Sequence, residues 1–122
     1  MGIGLVRLVV LAPLALVALP AQAQTQEGDR NASAAIARGA YAEAEQRLDR
    51  ELRIHPGRPE LLINLAAVYA RTDRAADARA LYQRVLAQDE VLMDVTVDRT
   101  AGSHAIARAG LRRLEPVQLS TR

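Results

Sequence analysis

The feature that most constrains this chain is the spacing of apolar residues in Pro59–Asp89, PELLINLAAVYARTDRAADARALYQRVLAQD. Leu62, Leu65, Ala66 and Tyr69 lie three or four residues apart and so share one face of a helix. Thr72-Asp73-Arg74 interrupts the pattern, and a second stripe follows in Ala78, Leu81, Tyr82, Val85 and Leu86. Each stripe has to be covered. An αα-hairpin that turns the two stripes toward each other covers both at once.

Small residues set how near the two helices come. Ala66 and Ala78 stand where a larger side chain would push the backbones apart, and Tyr69 and Tyr82 fill the space beside them. The alternation Leu65, Ala66, Tyr69, Ala78, Tyr82 resembles the tetratricopeptide repeat. Leu62 replaces the tryptophan-like first position of that family, and Asp73 replaces its turn glycine. Asp tolerates the left-handed backbone region better than most residues. Part of the pattern recurs 34 residues earlier, the period of this family: Gly39, Ala44, Leu48 and Leu52 precede Asp73, Ala78, Tyr82 and Leu86. Pro56 ends the earlier copy where the family places a proline. The repeats therefore span about 25–58 and 59–92. In the first of them, Asn31 and Ala35 hold positions expected to carry leucine and tyrosine. Its opening helix, Ala32–Arg38, is expected to bury little area and to fray, because alanine contributes far less than leucine.

The resemblance implies an all-α fold of αα-hairpin repeats and a role in binding protein. In this family the first helix of each repeat lines a concave groove that takes an extended peptide or a helix. Carried over by position, the groove residues are Glu60, Ile63, Asn64, Ala67 and Arg71. Asn64 stands where the family often uses an asparagine to hold a peptide backbone, and Arg71 suits a bidentate carboxylate. The paired lysines of the carboxylate-clamp subfamily are absent, for the chain contains no lysine.

Residues 1–23 read as a secretory signal peptide: Arg7 precedes the apolar run Leu8–Leu19, and Ala21-Gln22-Ala23 is a small-x-small cleavage site. The run is shorter than the ~20 residues of a membrane-spanning helix, and an uncleaved N-terminal anchor is the alternative. Cleavage leaves 99 residues (122 − 23) with a formal charge of +1, one small domain in the periplasm or outside the cell. That near-neutral charge argues against a nucleic-acid binder. Residues 24–31 form a polar leader.

Tyr41–Ile54 is predicted as the second helix, with Ala44, Leu48 and Leu52 inward and Tyr41 and Ile54 flanking. Its charged face, with pairs such as Glu43–Arg47 and Asp49–Arg53, is expected to be solvated. Pro56 and Pro59 separate it from the third helix. The repeat pattern ends after Asp89. A short extended segment near 91–97 follows, then a turn at Arg99–Gly102 and a helix at 103–114 with Ser103 as N-cap. That helix is expected to cap the open flank of the array, and residues 115–122 are a tail.

No motif for chemistry is present. Cysteine is absent, and His55 and His104 lack the spacing of a zinc pair or a nucleophile–base pair. There is no glycine-rich phosphate loop. The expected function is an exported adaptor or assembly factor that is not an enzyme, needs no cofactor or metal, and binds a protein or peptide without spanning the membrane once its signal is removed. The alternative is a structural subunit whose hairpins drive homo-oligomerisation.

Overall fold

The computed structural model describes residues 32–96 and 98–116. The expected signal peptide and polar leader, together with residues 117–122 of the expected tail, lie outside that range.

Five helices and one hairpin follow in order: α1 (residues 32–37), α2 (Tyr41–Ile54), α3 (Pro59–Arg71), α4 (Ala75–Leu86), β1 (Leu92–Thr96), β2 (Arg99–Gly102) and α5 (Ser103–Leu114). The 34-residue offset reappears in the backbone. Gly39 at φ +77° and Asp73 at φ +58° are the two turn residues in the left-handed region. The amide of Ala40 donates to Ala35 O, and that of Arg74 to Tyr69 O, both at 2.9 Å. Ala44 N–H to Ala40 O and Ala78 N–H to Arg74 O, both 3.0 Å, repeat at the same offset. Asp73 therefore adopts the turn conformation that glycine supplies in the earlier copy.

Packing follows that offset as well. Ala32 pairs by position with Ala66, Ala44 with Ala78, and Leu48 with Tyr82, and all six are buried. Ala35 is fully buried too, so α1 reaches the core through two alanines despite having few large side chains. Helix α3 is the centre of the molecule. It packs against α2, α4 and α5, and it buries Leu61, Leu62, Ile63, Leu65, Ala66 and Val68. That is more than the single stripe its spacing suggests, because neighbours on several sides each need an apolar surface. Each fully buried leucine contributes about 1.5–3 kcal/mol relative to an exposed one. Pro59 opens α3 at a position where a missing amide leaves no gap in the helix.

Some expectations are corrected. Ile54 does not flank the core but stands 68% exposed, at the last residue of α2. Arg99–Gly102 is a strand: it pairs antiparallel with Leu92–Thr96, from Leu92 opposite Gly102 to Thr96 opposite Arg99, with an irregularity between Asp94 and Thr96. Ser103 is the first residue of α5 and makes no side-chain cap. It is fully buried; its amide donates to Val91 O at 2.8 Å, and its Oγ accepts from Val91 N–H at 3.1 Å. Beside it, His104 Nε2 donates to Gln88 O at 2.7 Å. These bonds fasten the start of α5 to the segment leaving α4.

A bidentate ion pair is among the polar connections that join the two repeats. Arg74, at the turn before α4, meets Glu45 of α2 through two hydrogen bonds, Nη1 to Oε1 at 2.9 Å and Nη2 to Oε2 at 2.6 Å. Its Nε donates to Thr72 Oγ1 at 3.1 Å, and the guanidinium lies 4.1 Å from the centre of the Tyr69 ring. Glu45 therefore belongs to an inter-repeat bridge rather than to a purely solvated face. The bond from Arg74 holds the Glu45 carboxyl below its ordinary range, against the opposing effect of burial. Of the two expected pairs along α2, Glu43–Arg47 forms at 2.9 Å, whereas Asp49–Arg53 is not made among the described residues.

Two outcomes are expected. Ala66→Leu should lower unfolding free energy by about 1–3 kcal/mol in denaturant titrations, since the added methylenes enter a filled core. Glu45→Gln should lower Tm by a few degrees at neutral pH. A depressed folded-state pKa stabilises above the unfolded value, and the benefit is lost as pH falls through the folded value. The Tm difference should therefore close in acid, once the wild-type carboxyl is protonated.

Candidate functional site

The repeat geometry turns one side of α3 outward between α1 and α5, and the five sequence-derived residues fall on it unequally. Glu60, in the first turn, pairs with Arg58 Nε at 3.4 Å and is half-buried, so its charge is already engaged. Ile63 is only 8% exposed and belongs to the core cluster. Asn64 is half-buried and donates from Nδ2 to Ser33 Oγ at 3.4 Å, linking α3 to α1. Ala67 and Arg71 line a cavity of about 240 Å³ between α3 and α5.

The rest of the cavity comes from residues outside the groove set carried over by position. Ala70 adds a second small wall on α3, Tyr82 enters from α4, and Gly110, Arg113 and Leu114 come from α5. The close approach of α5 rests on Gly110: a Cβ built there would collide with the Tyr82 ring, reaching 2.6 Å from Cε1. A glycine inside an amphipathic helix carried that signal, for it costs about 1 kcal/mol relative to alanine and close packing is a usual reason for its presence. Nothing local marked Arg113. Its place beside Arg71 depends on α5 packing against both α3 and α4.

Charge in the cavity is of one sign. Arg71 and Arg113 each lie in the last turn of their helix, where the backbone dipole favours a cation. Neither forms an ion pair among the described residues. Burial raises the pKa of the Tyr82 phenol above its ordinary value, and the Arg113 and Arg71 charges pull it back. Tyr82 is 5% exposed, and its hydroxyl meets no hydrogen-bond partner among the described residues. The remaining walls are aliphatic. The arrangement can bind and orient an acceptor. Among the described residues, no three His, Asp or Glu side chains gather as metal ligands. No helix among them is long and apolar enough to cross a membrane.

Residues 35–91 match the family model of the Tetratricopeptide repeat. Comparison with curated proteins and with solved structures gave no match.

Gly110→Ala tests the contact that shapes the cavity. Helix propensity alone would stabilise the variant by up to about 1 kcal/mol. The collision with Tyr82 should outweigh this and leave a net loss of about 1–2 kcal/mol in chemical denaturation.

Proposed function

We propose that this chain, a tetratricopeptide repeat protein over residues 35–91, is an exported adaptor or assembly factor that holds a segment of a partner protein along the outward side of α3. Tetratricopeptide repeats are protein-interaction modules and are generally non-catalytic. The observation that carries the reading is the continuity of that side: Asn64, Ala67 and Arg71 follow one another at three- and four-residue steps and lead into the cavity closed by α5. Asn64 offers an amide one turn before the aliphatic floor, and Arg71 offers a cation one turn after it. Export is supported by the N-terminal sequence, with Arg7 ahead of the apolar run and Ala21-Gln22-Ala23 behind it. The partner is then met in the periplasm or outside the cell.

Replacing Asn64 and Arg71 together by alanine should weaken capture of a partner from periplasmic extract without lowering Tm, because Arg71 is exposed and Asn64 makes one long hydrogen bond. Undiminished capture by the folded variant would remove the outward side of α3 from the binding surface.

A further inference from the structure

The cavity between α3 and α5 has a composition that selects its occupant. The polar side chains that line it are Arg71, Arg113 and Tyr82. A buried phenol ordinarily finds a hydrogen-bond partner, and this one has none among the described residues. Arginine can only donate, and among the described residues the Tyr82 hydroxyl has no acceptor for its proton. Side chains with two positive charges and an unspent O–H thus line one space, with no carboxylate paired to either arginine among the described residues. An occupant that completes this set is an anion with several acceptor lone pairs. A carboxylate has two oxygens and about four such sites.

The walls decide which carboxylate. A chain terminus would carry its own backbone N–H into the cavity beside the carboxylate. Among the cavity's side chains only the Tyr82 oxygen could receive it, and a donor left unpaired there is costly. A glutamate side chain brings only two methylenes behind its carboxylate, and Ala67, Ala70 and Leu114 offer aliphatic surface for them. We propose that this cavity receives a glutamate side chain presented by a partner polypeptide, with its carboxylate held by Arg71, Arg113 and the Tyr82 hydroxyl. The inference rests on the reading of α3 as a partner-binding surface and deepens it. The terminal helix, outside the sequence repeat, supplies one of the two cations.

The test titrates N-acetyl-glutamate-N-methylamide into the full chain and follows the arginine Nε–H and tyrosine ring resonances by NMR. Saturable shifts confined to Arg71, Arg113 and Tyr82 are expected. The glutamine counterpart should bind about tenfold more weakly, since charge-assisted bonds become neutral ones. Arg113→Gln should weaken glutamate binding about tenfold or more, and Tyr82→Phe, which keeps the ring against Gly110, several-fold. The absence of a saturable shift, or binding indifferent to Arg113→Gln, overturns the proposal. So does equal or tighter binding of N-acetyl-alanine, which carries a terminal carboxylate, or of inorganic phosphate. The two readings fail separately. If partner capture needs Arg71 but the glutamate probe does not bind, the groove stands and the glutamate assignment falls. If the probe binds and the Asn64/Arg71 variant still captures its partner, the anion pocket stands and the groove falls.

Discussion

Close approach of helix backbones is the constraint on which this molecule depends. Ala44, Ala66, Ala78 and Ala107 are all fully buried. Side chains this small let neighbouring helices come close. Phenylalanine and tryptophan are absent, so bulk comes from leucine, valine and three tyrosines. Interior packing tolerates few voids, and small positions therefore dictate where large ones go. Tyr82 shows the dependence most directly: its ring lies against Gly110, and that contact brings its hydroxyl to the cavity between α3 and α5.

Much of the scaffold was legible because it repeats. An offset of 34 residues relates Gly39 to Asp73 in backbone conformation, Ala44 to Ala78 in burial, and Leu48 to Tyr82 at the next turn of the helix. Period and side-chain size are local properties, and a sequence displays them openly. The helix at Ser103–Leu114 and the extended segment before it were legible for the same reason. Relations between distant segments were not. Glu45 looked like one of several acidic residues on a wet face until the turn before α4 delivered Arg74 to it. Ser103 had the residue type of a cap, yet it serves as a buried tie to Val91. Arg99–Gly102 had a turn's composition, and only the partner strand reveals it as β2.

The candidate site divides along the same line. Ala67 and Arg71 follow from the helical repeat, and both line the cavity. Glu60 and Ile63 share that repeat but are taken up by Arg58 and by the core. Periodicity locates a face without saying which of its residues are already occupied. Arg113 and Leu114 belong to a helix that the repeat pattern does not reach, so no position-by-position transfer could have assigned them. Three elements, the last turn of α3, the middle of α4 and the end of α5, meet there because α5 packs where a further repeat would begin.

The hairpin has a consequence of its own. Among the described residues its two strands pair only with each other, so each leaves an outer row of backbone groups open, and Leu92 and Val95 project into solvent. Such a ribbon is a template on which copies of the chain could stack edge to edge. The broken register between Asp94 and Thr96 and the exposed carboxylates of Asp94 and Asp98 work against that. A growing stack would have to flatten the kink and bring like charges together, so the arm carries its own safeguard against aggregation.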